Sequence, residues 1–106
     1  MANEKRLMML EQITQAGQAD SFAWYGLALE YKSFERIDDA LKTFTTLRQN
    51  DPAYVPMYLM CGTMLVEAAR VAEGREWLET GLDKANAAGN SHAASELQEA
   101  LNQLAD

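Results

Sequence analysis

Between Ser21 and Pro52 the chain sets its large apolar residues at spacings that a pair of helices satisfies, and then stops them with a proline. Trp24, Leu27, Ala28 and Tyr31 share one helical face, since residues three, four and seven apart fall on the same side of a helix. A second run follows. Asp38 and Asp39 bring carboxylates to a helix start, Ala40, Leu41, Phe44 and Leu47 form an apolar stripe, and Arg48 falls near the negative end of the dipole. Asn50-Asp51-Pro52 ends it, because Pro52 cannot donate to an ongoing helix and pushes Asp51 away from helical angles. The unit is a helical hairpin.

Trp24, Leu27, Tyr31, Ala40, Phe44 and Pro52 stand at the offsets of the Trp, Leu, Tyr, Ala, Phe and Pro of one motif, so the stretch resembles a tetratricopeptide repeat, with its period of about 34 residues. Ala28 stands where that motif has Gly, a small-for-small exchange at a close helix contact. In physical terms Ala28 and Ala40 let two helices approach, while Trp24, Tyr31 and Phe44 fill the space between hairpins. Shifted by one period, Tyr58, Cys61, Gly62 and Leu65 take the slots of Trp24, Leu27, Ala28 and Tyr31. Gly74, Leu78 and Gly81 then take those of Ala40, Phe44 and Leu47. The resemblance implies an all-α fold, an α-solenoid of antiparallel hairpins wound as a right-handed superhelix, with about five helices.

Elsewhere the sequence predicts a helix over 3–17, with Asn3 as cap, Leu7, Met8, Leu10 and Ile13 as its apolar face, and Gly17 as its end. Such a helix covers the exposed side of the first hairpin or completes an upstream repeat. Repeat 1 spans 21–54, capped by Asp20 or Ser21, and repeat 2 spans 55–90. Pro56 is tolerated in a first helical turn, and Gly89 suits a left-handed helix terminus. A capping helix over 91–105 carries Ala94, Leu97, Leu101 and Leu104 on one face. One domain, 1–106, accommodates all of this.

Composition narrows the function. Nine Lys and Arg against 16 Asp and Glu give a net charge of -7, which repels a phosphate backbone, so nucleic acid is not the expected partner. Cys61 is the only cysteine, so no internal disulfide forms and a cytoplasmic setting is expected. Neither a signal peptide nor a membrane span is expected, because no long apolar run follows Leu7 to Leu10.

No constellation points to chemistry. His92 has neither a cysteine nor a carboxylate at ligand spacing and reads as an exposed residue of a first turn. Cys61 lies on a core face without a His or Lys at helical spacing to lower its pKa. Catalytic residues, metal and cofactor are therefore all expected to be none.

Phe22, Tyr25 and Leu29 lie off the Trp24 and Tyr31 stripe, and apolar residues there call for a cover. In tetratricopeptide-repeat proteins the first helices line a concave groove that holds a partner's peptide or helix. The resemblance thus implies a groove of Phe22, Tyr25, Leu29 and Lys32 in repeat 1, then Leu59, Met60, Thr63 and Val66 in repeat 2, with Ser95 and Glu99 beyond. Family members that grip acidic chaperone tails use Lys, Arg and Asn at such places. Here Tyr25, Leu29, Leu59 and Thr63 stand there instead, so an apolar or amphipathic segment is the expected ligand. The same face offers two alternatives, homodimerisation or a chaperone role toward a hydrophobic client. The methionines Met57, Met60 and Met64 read as core, or as an adaptable surface.

Overall fold

The computed structural model describes residues 2–104. Six helices account for the described residues outside turns: α1 (Glu4–Gln15), α2 (Ser21–Ser33), α3 (Ile37–Asn50), α4 (Pro56–Glu67), α5 (Val71–Ala87) and α6 (Ser91–Asn102). The expectation of about five helices undercounts by one, because two hairpins with a helix before and a helix after make six. The chain divides into two compact units, one up to Pro52 and one from Ala53.

Local chemistry sets the helix starts. Asn3 Oδ1 accepts from the Arg6 N–H at 3.1 Å, Asp20 Oδ1 from the Ala23 N–H at 2.9 Å, and Asn90 Oδ1 from the Ala93 N–H at 3.1 Å. Each bond satisfies an N–H that the first helical turn leaves without a partner. Pro56 opens α4 at its first turn, where a missing N–H costs nothing. α3 and α5 begin without a side-chain cap, at Arg36 and Arg70. Instead Arg36 Nε donates to Asp39 Oδ2 at 2.8 Å, and Arg70 donates to both Glu73 oxygens at 2.7 and 3.0 Å. These bonds hold the Glu73 carboxyl below the usual carboxylate range and raise the Arg36 guanidinium further.

Four helix ends share one backbone device. Glu35 N–H donates to Lys32 O and Arg36 N–H to Tyr31 O, both at 2.9 Å. One period on, Ala69 N–H donates to Val66 O at 3.0 Å and Arg70 N–H to Leu65 O at 2.8 Å. This paired closure needs a left-handed residue just past the helix. Glu35 and Ala69 supply it, with φ of 58° and 67°. Gly17 and Gly89 do the same after α1 and α5, with φ of 73° and 68°. α3 ends differently, because Pro52 has no N–H to give; the Asp51 N–H donates to Leu47 O at 2.7 Å.

In the first unit α2 packs against both α1 and α3. Leu7, Leu10 and Leu27 form a buried cluster against which Ala23, Trp24, Tyr31 and Phe34 pack. Trp24 and Tyr31 thus serve the α1–α2 contact. Ala28, Ala40, Phe44 and Leu47 are buried in the hairpin, each large one worth roughly 1.5–3 kcal/mol against exposure. Polar ties accompany the apolar ones. Glu30, buried on α2, pairs with Arg6 at 3.4 Å and accepts the Asn3 N–H at 3.3 Å. Tyr31 OH donates to Glu11 Oε2 at 2.6 Å, and Arg36 lies 4.7 Å from the Tyr31 ring centroid. Ser21 Oγ donates to Asp51 Oδ2 at 2.6 Å, tying the start of α2 to the end of α3.

In the second unit α4, α5 and α6 pack pairwise. Met57, Tyr58, Cys61, Met64, Leu65, Trp77, Leu78, Ala85 and Leu97 are its core. Met57 and Met64 therefore fill the interior, and Tyr58 and Trp77 set their rings 5.8 Å apart, tilted by 47°. Gly62, Gly74 and Gly81 stand where helices touch: a Cβ on Gly81 would run into Tyr58, and one on Gly62 would lie 2.7 Å from Leu78 Cγ.

Candidate protein-interaction faces

The four residues expected on α2 occupy one face at i, i+3, i+7 and i+10, and differ in how far they emerge. Phe22 is 67% exposed, the most open large hydrophobic residue described. Tyr25 is half-buried, its ring 6.4 Å from that of the buried Phe44 and tilted by 59°. It serves the hairpin core and the surface together. Leu29 and Lys32 are also half-buried.

On α4, Leu59, Met60, Thr63 and Val66 are all half-buried. The Thr63 hydroxyl donates back to Leu59 O at 2.8 Å and Met60 O at 3.3 Å. Thr63 and Val66 meet residues of α5 and α6 around a cleft of about 210 Å³, lined also by Glu67, Leu78, Ala100, Gln103 and Leu104. Ser95 and Glu99 are exposed and outside the cleft, whereas Ala100 and Gln103, next in register, line it. The period points to Ala100, which lies one repeat after Val66. Glu67 gives no such signal, since it reads as one more surface carboxylate.

His92 is exposed, as expected of a first turn, but a carboxylate does stand at helical spacing: His92 Nε2 lies 3.6 Å from Glu96 Oε1. This corrects the expectation that it has none. One carboxylate beside one imidazole is a surface pair, and among the described residues no group of three or more His, Cys, Asp or Glu is placed to hold a metal ion. Cys61 is fully buried. No helix among the described residues is long and apolar enough to cross a membrane.

Helical hairpins with small residues at their crossings and first helices that keep part of one face open define a repeat-type interaction fold, and solved structures agree. A tetratricopeptide repeat domain protein from Salinibacter ruber, in its solution structure, is 30% identical with a TM-score of 0.75, the match covering 79% of this chain and 85% of that one. The crystal structure of a tetratricopeptide repeat domain protein from the same organism is 29% identical with a TM-score of 0.73, over 80% of this chain and 94% of that one. A protein from Bordetella parapertussis, solved in solution, is 26% identical with a TM-score of 0.79, over 92% and 85%. No profile of a known family and no curated protein matches the sequence. The chain belongs to the tetratricopeptide repeat family.

Proposed function

We propose that this chain is an adaptor or assembly factor that holds an apolar or amphipathic segment of another protein on its first-helix faces and performs no chemistry of its own. Family membership supports a protein-interaction module in general. Within it, 21–54 and 55–90 serve as the two repeats, with Phe22, Tyr25, Leu29 and Lys32 on one and Leu59, Met60, Thr63 and Val66 on the other. The observation that carries this reading is Phe22, a large aromatic ring 67% exposed on the same face as Tyr25 and Leu29. A ring of that size contributes strongly to binding once a partner desolvates it.

Sedimentation equilibrium of the full chain, run beside Phe22→Asp, tests it. Phe22 is the better site for substitution, because a change at Tyr25 would also disturb Phe44. A monomer at every concentration, together with capture of a defined protein from source lysate that Phe22→Asp loses at unchanged melting temperature, supports the reading. A dimer that Phe22→Asp dissolves assigns the face to self-association instead.

A further inference from the structure

Resting on the interaction-module reading, we propose that the cleft at the C-terminal ends of α4 and α6 takes a short aliphatic side chain flanked by a basic residue of the partner protein. Size comes first. Small-molecule sites run to about 300–1,000 Å³, and this cleft, at about 210 Å³, suits one side chain rather than a metabolite. Its apolar lining is aliphatic, made by Val66, Leu78, Ala100 and Leu104.

Charge then selects the neighbour of that side chain. Glu67 is the sole charged residue of the lining, and its carboxylate enters no ion pair among the described residues. It is also the last residue of α4, while α6 ends at Asn102, beside Gln103 and Leu104 of the same lining. Two helix C-termini therefore converge there, each carrying about half a negative charge. Arg75 Nη2 already donates to Leu104 O at 3.3 Å, so a guanidinium fits against this edge. A partner carboxylate would meet Glu67 and both dipole ends, whereas a Lys or Arg finds them complementary.

The test is selection from a random-heptapeptide display library against the immobilised full chain, followed by fluorescence anisotropy of the enriched peptides. Glu67→Gln serves as the charge variant and Ala100→Leu as a variant that fills the cleft. The expected result is enrichment of Lys or Arg beside Leu, Ile or Val, with Glu67→Gln weakening binding by roughly fivefold at low salt. Ala100→Leu should weaken it at least as much, and circular dichroism should report both variants folded. Enrichment of acidic or uncharged peptides, or indifference to Glu67→Gln, overturns the basic-ligand assignment and leaves the interaction module standing. No enrichment above that on an unrelated helical protein overturns both.

Discussion

Gly62 and Gly74 face each other across the α4–α5 crossing: a Cβ on Gly74 would lie 2.7 Å from the Gly62 carbonyl oxygen and 2.7 Å from Val66 Cγ2. The obstacle includes backbone, which cannot turn aside as a side chain can. Gly74→Ala is thus expected to destabilise the protein by roughly 1–2 kcal/mol, overpacking outweighing a helix-propensity gain of about 1 kcal/mol. Urea unfolding followed by circular dichroism measures this. An unchanged or raised midpoint would mean that the crossing is looser than described.

Gly26 predicts the opposite sign. It is a buried helical glycine too, but its added Cβ would meet Leu10 Cδ1 at 3.6 Å, Arg6 Nη2 at 3.7 Å and Leu10 Cδ2 at 3.9 Å, all ordinary contacts. Gly26→Ala should stabilise by roughly 0.5–1 kcal/mol through helix propensity alone. Running both variants in one unfolding series separates close approach from propensity, since propensity alone would shift both midpoints upward.

Glu35 and Ala69 hold left-handed angles without being glycine. A Cβ there is crowded by the following carbonyl, at a cost of roughly 1–2 kcal/mol, part of which glycine returns through its freer unfolded chain. Glu35→Gly and Ala69→Gly should each stabilise by roughly 0.5–1 kcal/mol, read as a rise in melting temperature. A fall in either would show that its side chain contributes something the turn geometry does not reveal.

Burial, reinforced by its hydrogen bond to Glu11, pushes the Tyr31 hydroxyl from about 10 up to about 12. Below pH 10 folded and unfolded chains both keep this proton. Between 10 and 12 the unfolded chain has released it while the folded one retains it, so the Tyr31 contribution fades as pH rises through that window. Stability measured by urea unfolding should decline less steeply there in Tyr31→Phe than in the wild type. Equal slopes would locate the alkaline loss at another group.

Much of this fold is legible residue by residue. Asn3, Asp20, Pro56, Gly17 and Gly89 act where their own conformational chemistry places them, because a cap or a left-handed terminus is decided within one turn of chain. Trp24, Leu27, Ala40 and Phe44 are legible for a similar reason: helical period alone sorts them onto packed faces. Where partners come from distant sequence, the reading stops. Glu30 looks like any surface glutamate until Arg6 and the Asn3 N–H reach it from α1. Glu35 and Ala69 carry no glycine to announce their angles, which the closing bonds of the turn impose. Of the candidate faces, Phe22 is as open as its off-stripe position suggests, and Tyr25 is drawn halfway inward by Phe44. Glu67 acquires its setting only when α6 ends beside α4.

Cys61 is wholly enclosed by its unit and has no second thiol to pair with. In the native protein a thiol reagent has no access to it, so labelling proceeds only through opening of the α4–α6 unit and its rate follows the population of the open form. The molecule carries its own reporter of native-state breathing at a single position, and needs no engineered probe. Any ligand that holds this unit closed will announce itself as a slower labelling reaction, measurable by mass spectrometry.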